Sequence, residues 1–451
     1  MTNLEEGVEL IKENQLSKEQ RKAVKLVIEK KKNLFIQGMA GSGKSAFIKY
    51  LQSHSAKNIV LCSPTAITAL NIGGVTLHSL FKLPIMSFIT DEQLFRMNRK
   101  TVWSVIKAMD ILIIDEVSMV RPDVLDAVDK VCKRIRRNTK AFGGIQTVLI
   151  GDLYQLPPVI NSEAKHIFET IYGTDDPYFF DSDIYKSTKF EHIEFSKVFR
   201  QQDDKLLKHL IHIRTNKNIE SALKYFNKNE IKNKTKFKNA VTITPYRAIA
   251  DSINKKNLAK LKTEAYTFTA QLSGTFEKFS ETSYPAAKDL VLKEGALVIF
   301  NKNDTDKNWV NGTVGIIDRI ESEFIYVKKL PSEEIVCVER ETWEDKKYDV
   351  ELNQIYNVEK DIFEEKEKII ETITGQFKQF PLQLGYAMTI HKAQGKTLDA
   401  VNIDLDRGTF APGQLYVALS RTRRKEDMNI ISEITKNDII FDKRVQEFLE
   451  N

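Results

Sequence analysis

The sequence predicts an α/β protein organised around two parallel-sheet units, and three observations carry that prediction. Short apolar runs alternate with helical segments over the first 160 residues. One of those runs leads straight into a glycine-rich turn and a helix at 34–51. A second alternating stretch brackets a β-rich interruption. Strands that alternate with helices pair in parallel through right-handed crossovers. At 451 residues the chain has room for two or three such domains.

The N-terminal helix is expected from Lys18 to about Lys31, with Ser17 as its N-cap. Gln20, in its first turn, is either solvated or reads an adenine edge with one donor and one acceptor. The apolar run Leu34-Phe35-Ile36 then enters a loop with the spacing G-x-x-x-x-G-K-S from Gly38 through Gly43 to Ser45, with an extra glycine at Gly41. Glycines there let backbone N–H groups turn toward a polyphosphate, and the following helix presents its positive end. Lys44 and Ser45 supply a cation and a hydroxyl for Mg²⁺.

A second strand at 58–63 ends in Pro64-Thr65, where such sheets place ligand contacts. Residues 82–105 form an irregular excursion, with Met86, Phe88, Phe95 and Met97 expected at its surface. The third strand, Ile111 to Ile114, delivers Asp115 and Glu116 at its carboxyl end. Adjacent acids after an apolar strand are costly without a positive partner. Mg²⁺ held by Asp115 with Ser45, and a water deprotonated by Glu116, explain both; helix capping is the alternative. The fourth strand, Thr147 to Ile150, puts Gln155 beside the γ-phosphate if it neighbours the P-loop strand.

A second α/β unit is expected to include a strand at Glu191–Phe195, helices near 205–214 and 218–227, and a buried strand at Val241–Thr244. Short β segments at 296–300, 312–320, 324–328 and 334–338, with a turn at Asn311-Gly312, predict a small inserted β-barrel. Gln383–Thr389, Ala400–Asp404 and Met428–Ser432 resume the α/β pattern.

Composition narrows the class further. The chain is 42% hydrophobic and 29% charged, with a net charge of +6 that gives only a weak global field. Basic runs at 130–140, 228–238 and 421–425 are solvated faces or local anion contacts. No apolar run reaches membrane-spanning length and the first twenty residues are polar, so a cytoplasmic or nucleoid location is expected. The three cysteines are scattered, without C-x-x-C spacing, and predict neither a disulfide frame nor a zinc site.

Six strings in order carry a resemblance: PTAITALNIGGVTLHSLF at 64–81, IIDEVSMV at 113–120, FGGIQTVLIGDLYQLPPV at 142–159, FRQQ at 199–202, LGYAMTIHKAQGKTLD at 384–399 and YVALSRTRR at 416–424. Over nearly its whole length the chain resembles the Pif-type (petite integration frequency) DNA helicases, in the 5′-to-3′ branch of superfamily-one helicases. The segment from Asp123 to Gly144 looks like that family's signature insert. The resemblance implies two RecA-like P-loop NTPase domains. The first would span 1–165, with a wedge insertion at about 82–105. The second would comprise 166–261 and 380–451, interrupted by a Src-homology-three-like barrel at 262–379.

Carried over by motif, the resemblance implies that Gln20 reads adenine, Lys44 holds the β- and γ-phosphates, and Ser45 and Asp115 hold Mg²⁺. Glu116 would be the base, Gln155 the γ-phosphate sensor, Arg200 and Arg421 the arginines on the γ-phosphate, and Gly395 part of the cleft. Thr65, His78, Thr244, Thr389, His391 and Lys392 would contact single-stranded DNA. For His78 and His391 ordinary packing is the competing reading, as it is for Phe88 as a fork aromatic and for Trp309 beside Lys302 and Lys307 on the barrel. Three positions depart from the family: Ala66 for a usual glycine, Arg247 for a usual asparagine, and Lys396 for a neutral polar residue. The two added charges are expected to tighten backbone binding and steepen its salt dependence.

The implied activity is ATP-dependent unwinding of tailed or forked duplex, and of G-quadruplex or DNA–RNA structures. It would be performed by a monomer of bacterial or phage type in repair, recombination and telomere maintenance. An ATP-gated clamp or loader and an RNA helicase are the alternatives. Asn301-Lys302-Asn303-Asp304 matches a guanine-recognition motif, but Asp115 lacks the D-x-x-G continuation a GTPase needs.

Overall fold

The computed structural model describes residues 11–96, 99–228, 237–357 and 362–450. Met97 and most of the basic run at 228–238 lie outside them. The chain divides into two compact units. The first comprises 1–152, 158–199 and 346–373; the second comprises 153–157, 200–345 and 374–451.

The first unit is built on β1 (Leu34–Gly38), β2 (Ile59–Ser63), β3 (Val75–Thr76), β4 (Ile111–Ile114), β5 (Gln146–Gly151) and β6 (Glu191–Phe195), in the order β3-β2-β4-β5-β1-β6. All five pairings are parallel. Strands β1 and β4 are buried along their whole length, which is why they read as unbroken apolar runs rather than alternations. Ala23 and Val27 of the helix Lys18–Ile28 and Phe47 and Leu51 of the helix Lys44–His54 pack with β1, β4 and β5 in one core.

Strand β6 corrects an expectation. Expected in the second unit, it instead pairs with the far edge of β1, with Leu34 opposite Glu191 and Gly38 opposite Phe195. Ile193 and Phe195 complete the core that Phe47 lines, the Phe195 and Phe47 rings meeting edge-on at 5.5 Å. Burying that edge of the P-loop strand removes a row of unpaired backbone groups.

Asp123, Asp126 and Asp129 lie at three-residue spacing on the helix Pro122–Arg136 and are buried. Each accepts backbone N–H groups from another segment: Ile89 at 2.9 Å, Ile184 at 2.9 Å and Phe142 at 2.7 Å respectively. Their hydrogen bonds make burial tolerable, and the one to Asp123 fastens the 82–105 excursion to this helix. In that excursion Ile85 is 90% exposed, whereas Phe88 is half-buried with its ring 5.1 Å from Phe168. Packing is thus the environment of Phe88.

In the second unit β7 (Val241–Thr244) precedes a β-rich insert. There β8 (Ala265–Thr269) pairs with β10 (Asp289–Lys293), and β9 (Gln271–Gly274) with the long β16 (Ile362–Gln379), itself paired with β15 (Glu341–Asn357). An antiparallel sheet runs β14-β13-β12-β11-β17 through β11 (Leu297–Phe300), β12 (Val314–Ile320), β13 (Ile325–Leu330), β14 (Ile335–Val338) and β17 (Leu382–Leu384). It shares a core with the β8–β10 pair through Phe268, Leu290, Val298 and Phe300. Trp309 is in that core, stacked on Phe300 at 4.7 Å, and Lys302 is paired with Glu341 at 2.7 Å. The parallel sheet resumes with β18 (Ala387–Thr389), β19 (Val401–Ile403) and β20 (Met428–Ile430), in the order β18-β7-β19-β20.

The stretch 383–389 therefore splits between two sheets. A Cβ on Gly385 would lie 2.8 Å from the Val298 carbonyl carbon, so the chain crosses there only without a side chain. The outer part of the β15–β16 hairpin belongs to the first unit, where the Leu61 N–H donates to the Tyr348 hydroxyl at 3.2 Å. Cys62 and Cys132 are buried and Cys337 exposed, all as free thiols, and burial pushes the first two thiols up. Among the described residues no helix is long and apolar enough to cross a membrane.

Candidate nucleotide and nucleic-acid sites

In the first unit the loop after β1 brings the expected nucleotide residues together. Gly41 and Gly43 adopt φ of +81° and +82°, and Gly43 caps the helix that begins at Lys44. A Cβ on Gly38 would lie 2.5 Å from the Ser42 hydroxyl, and one on Gly43 would lie 2.6 Å from the Gln20 amide nitrogen. Glycine is therefore required at Gly43 on two counts, backbone conformation and space. Gln20 is not solvated: it is buried, its carbonyl accepts from the Ser17 N–H at 2.7 Å, and its amide donates to the Gly43 carbonyl at 3.0 Å. The same side chain closes a capping box and braces the loop.

The Lys44 ammonium donates to the Gly38 and Met39 carbonyls at 2.7 and 3.2 Å. Ser45 is exposed in the helix's first turn. Beyond β4, Asp115 is buried, and one of its carboxylate oxygens has no hydrogen-bond partner among the described residues; the buried Ser42 hydroxyl oxygen is likewise unpartnered. Burial, then the Glu116 charge, pushes the Asp115 carboxyl up to about 7 against the opposing pull of Lys44. A carboxylate held at such cost has the chemistry of a cation ligand. Glu116 follows at φ 52° and ψ 42°, a left-handed conformation that a non-glycine residue adopts at a cost and that clusters at functional sites.

Strand β5 does neighbour β1, with Gln37 opposite Gly151. Gln37 donates to Asp152 at 3.0 Å. The segment 153–157 that carries Gln155 groups with the second unit. There a Cβ on Gly413 would lie 2.3 Å from the Gln155 carbonyl oxygen, and Tyr154 lies under the Arg214 guanidinium. One segment of the first unit closes at Phe199, whose N–H donates to the Gly41 carbonyl at 2.8 Å, and the next residue, Arg200, belongs to the second.

Within the second unit Arg200 donates to the Gly395 carbonyl at 3.3 Å. Arg421 is fully buried and donates to the carbonyls of Val417, Ala393 and Lys396 at 2.6, 3.1 and 3.2 Å. Both expected arginines thus contact the segment 393–396. Gly395, at φ +79°, has open space on its Cβ side.

The residues expected to contact DNA lie at or just past the carboxyl ends of strands. Thr65 follows β2 and caps the helix Ala66–Ile72, which starts normally from Ala66. His78 is half-buried, and burial, aided by Arg121, lowers its pKa, so the ring is neutral near pH 7. Thr244 and Thr389 are register partners at the ends of β7 and β18. Thr389 caps the short helix Ile390–Ala393 that carries His391 and Lys392, while the buried Thr244 hydroxyl oxygen lacks a partner among the described residues. Arg247 is exposed and pairs with Asp251 at 3.6 Å. Lys396, expected to add to DNA binding, instead donates to the Asn311 side chain.

One aromatic escaped the sequence reading. Phe410 is 53% exposed, with its ring 5.3 Å from Tyr246 and 6.4 Å from His391. Its position after β19, in a loop between Gly408 and Pro412, was the available signal.

A P-loop between parallel strands, followed by a carboxylate pair at the end of a neighbouring strand, defines a P-loop nucleoside triphosphatase, here joined to a second parallel sheet that carries arginines and strand-end threonines. The PIF1-like helicase family model matches residues 15–236. The ATP-dependent DNA helicase Pif1 of Bdellovibrio bacteriovorus is 30% identical over 98% of this chain and 93% of that protein. The chain belongs to the PIF1-like helicase family. Among solved structures, Bacteroides sp Pif1 in complex with ADP-AlF4 matches with a TM-score of 0.84 at 34% identity, and Bacteroides Pif1 bound to ssDNA with a TM-score of 0.68 at 34% identity, each over 96% of both chains.

Proposed function

We propose that this protein is an ATP-dependent DNA helicase that moves 5′-to-3′ along single-stranded DNA and separates the duplex ahead of it. The observation that carries the chemistry is the orphaned oxygen of Asp115, buried near Lys44 on a P-loop. Lys44 turns from its two loop carbonyls to the β- and γ-phosphates, and Gln20 braces the loop beside the adenine. Ser45 and Asp115 hold Mg²⁺, which when bound neutralises the phosphate oxygens. Glu116 takes the proton of the attacking water and Gln155 senses the γ-phosphate. Arg200 and Arg421 stabilise the charge that develops on the transferred group, with Gly395 lining the cleft. Because those arginines come from the second unit, hydrolysis is tied to domain closure, and alternating closure and release move the chain along the strand.

Thr65, His78, Thr244, Thr389, His391 and Lys392 hold DNA phosphates without reading sequence, and Phe410 stacks on a base. Tailed and forked duplexes and G-quadruplexes are the proposed substrates of a monomeric enzyme acting on cytoplasmic, nucleoid DNA.

Duplexes with a 5′ or a 3′ single-stranded tail test this directly. Strand displacement that needs both ATP and the 5′ tail is expected. Displacement from the 3′ tail would reverse the polarity, and ATP-dependent binding without displacement would make the protein a clamp. For Phe410→Ala, single-strand affinity is expected to fall about ten- to hundredfold, matching roughly 1–3 kcal/mol per stacked base. The slope of affinity against salt should stay unchanged, because no phosphate contact is lost.

A further inference from the structure

Lys396 stands in the segment that both arginines contact, and its ammonium reaches out of that segment. It donates to the side chain of Asn311, in the turn between β11 and β12 of the β-rich insert. The turn lies directly on the segment: a Cβ on Gly312 would come within 2.8 Å of the Thr397 carbonyl oxygen. It is also firmly built. The Asn311 N–H donates to the Asn303 side chain at 2.7 Å and the Gly312 N–H to the Phe300 carbonyl at 2.9 Å, with Phe300 stacked on Trp309 in the insert's core.

On its other side the same segment is held by the arginines. Arg421 grips the Lys396 carbonyl itself, the Leu398 N–H returns a bond to the Arg421 carbonyl at 2.9 Å, and Arg200 donates to Gly395. One residue, Lys396, therefore offers its carbonyl to an arginine and its side chain to the insert.

We propose that Lys396 is a positioning residue: through Asn311 it fastens the arginine-bearing segment to the β-rich insert, so that the insert sets the placement of Arg200 and Arg421 for ATP hydrolysis. This rests on the reading that those arginines act on the γ-phosphate. Half-burial of Lys396 agrees with a protein partner rather than a solvated or DNA-facing charge.

The test uses the full chain with Lys396→Met, Asn311→Ala, the double variant and Lys396→Arg. Single-strand-stimulated ATP hydrolysis is measured beside thermal unfolding and the salt dependence of single-strand binding. Each single variant is expected to lose roughly ten- to hundredfold in kcat, the scale on which misplaced catalytic groups act. KM for ATP, the unfolding midpoint and the salt slope should be unchanged. The double variant should be no worse than either single one, as befits two members of one contact, and Lys396→Arg should recover most of the rate. Wild-type kcat in either single variant, additive losses, or a salt slope lowered by about one unit in Lys396→Met would overturn the inference, the last by assigning the ammonium to a phosphate. Wild-type hydrolysis in Arg200→Ala would instead remove the arginine reading beneath it.

Discussion

Glu116→Gln is expected to lower the rate of ATP hydrolysis by about 10²- to 10⁴-fold, the usual contribution of a positioned general base. ATP binding should remain. Glutamine keeps the shape and one hydrogen-bonding oxygen of the side chain and removes only its basicity and charge. That charge is one of the two causes that push the Asp115 carboxyl up to about 7. Without it Asp115 returns toward the ordinary carboxylate range and is more fully ionised at neutral pH. Since a proton and a cation compete for Asp115, Mg²⁺-dependent nucleotide affinity in the wild type should weaken as pH falls from 8 to 6. In Glu116→Gln the same weakening should appear only at lower pH. Single-turnover hydrolysis and nucleotide titration at several pH values separate the effects. A variant that still hydrolyses at the wild-type rate removes Glu116 as the base, and one that no longer binds nucleotide makes its role structural.

The nucleotide half of this protein was legible because its signals are local. The glycine spacing follows directly on its apolar strand, and the carboxylate pair directly on another, so each signal is read within a few residues and implies its own geometry. What was not legible depends on partners far along the chain. Strand β6 is five residues with Ile193 and Phe195 inward, a pattern that fits the edge of either sheet. The free edge of β1 and the Phe47 ring, both more than a hundred residues earlier, decide which. Gln20 could not be placed from its own helix, because what it braces is a glycine whose missing side chain makes the room. The outer part of the β15–β16 hairpin reads as more of the insert, yet Asn58 clasps it, donating to the Glu367 carbonyl at 3.0 Å and accepting from the Ile369 N–H at 3.1 Å. The strand-end threonines were located by motif. That Thr244 and Thr389 stand side by side required the register of β7 against β18.

The two arginines should fail in different ways when removed. Arg200 is only half-buried and donates to the Gly395 carbonyl, so Arg200→Ala is expected to keep the fold. Its expected signature is a loss of hydrolysis of ~10³- to 10⁵-fold, the range for an arginine finger, with the unfolding midpoint unchanged. Arg421 is wholly buried, and its planar fork holds three carbonyls from two segments at once. Arg421→Ala empties the space of a wholly buried side chain and takes a donor from each carbonyl; Val417 and Ala393 keep the Ser420 hydroxyl and the Lys396 N–H, while the Lys396 carbonyl bears the cost of about 1–3 kcal/mol of a buried group left unsatisfied, so a clear fall in the unfolding midpoint should accompany the lost hydrolysis. Lysine does not rescue it, because a single ammonium cannot reproduce the fork geometry that reaches Val417, Ala393 and Lys396 together. Thermal unfolding and DNA-stimulated hydrolysis measured on the same preparations distinguish the roles. Hydrolysis at the wild-type rate in Arg200→Ala would sink its assignment to the γ-phosphate. An Arg421→Ala protein that unfolds at the wild-type temperature would show that the Lys396 carbonyl finds another donor and the vacated space refills, and any hydrolysis it lost would then be chargeable to the missing guanidinium alone.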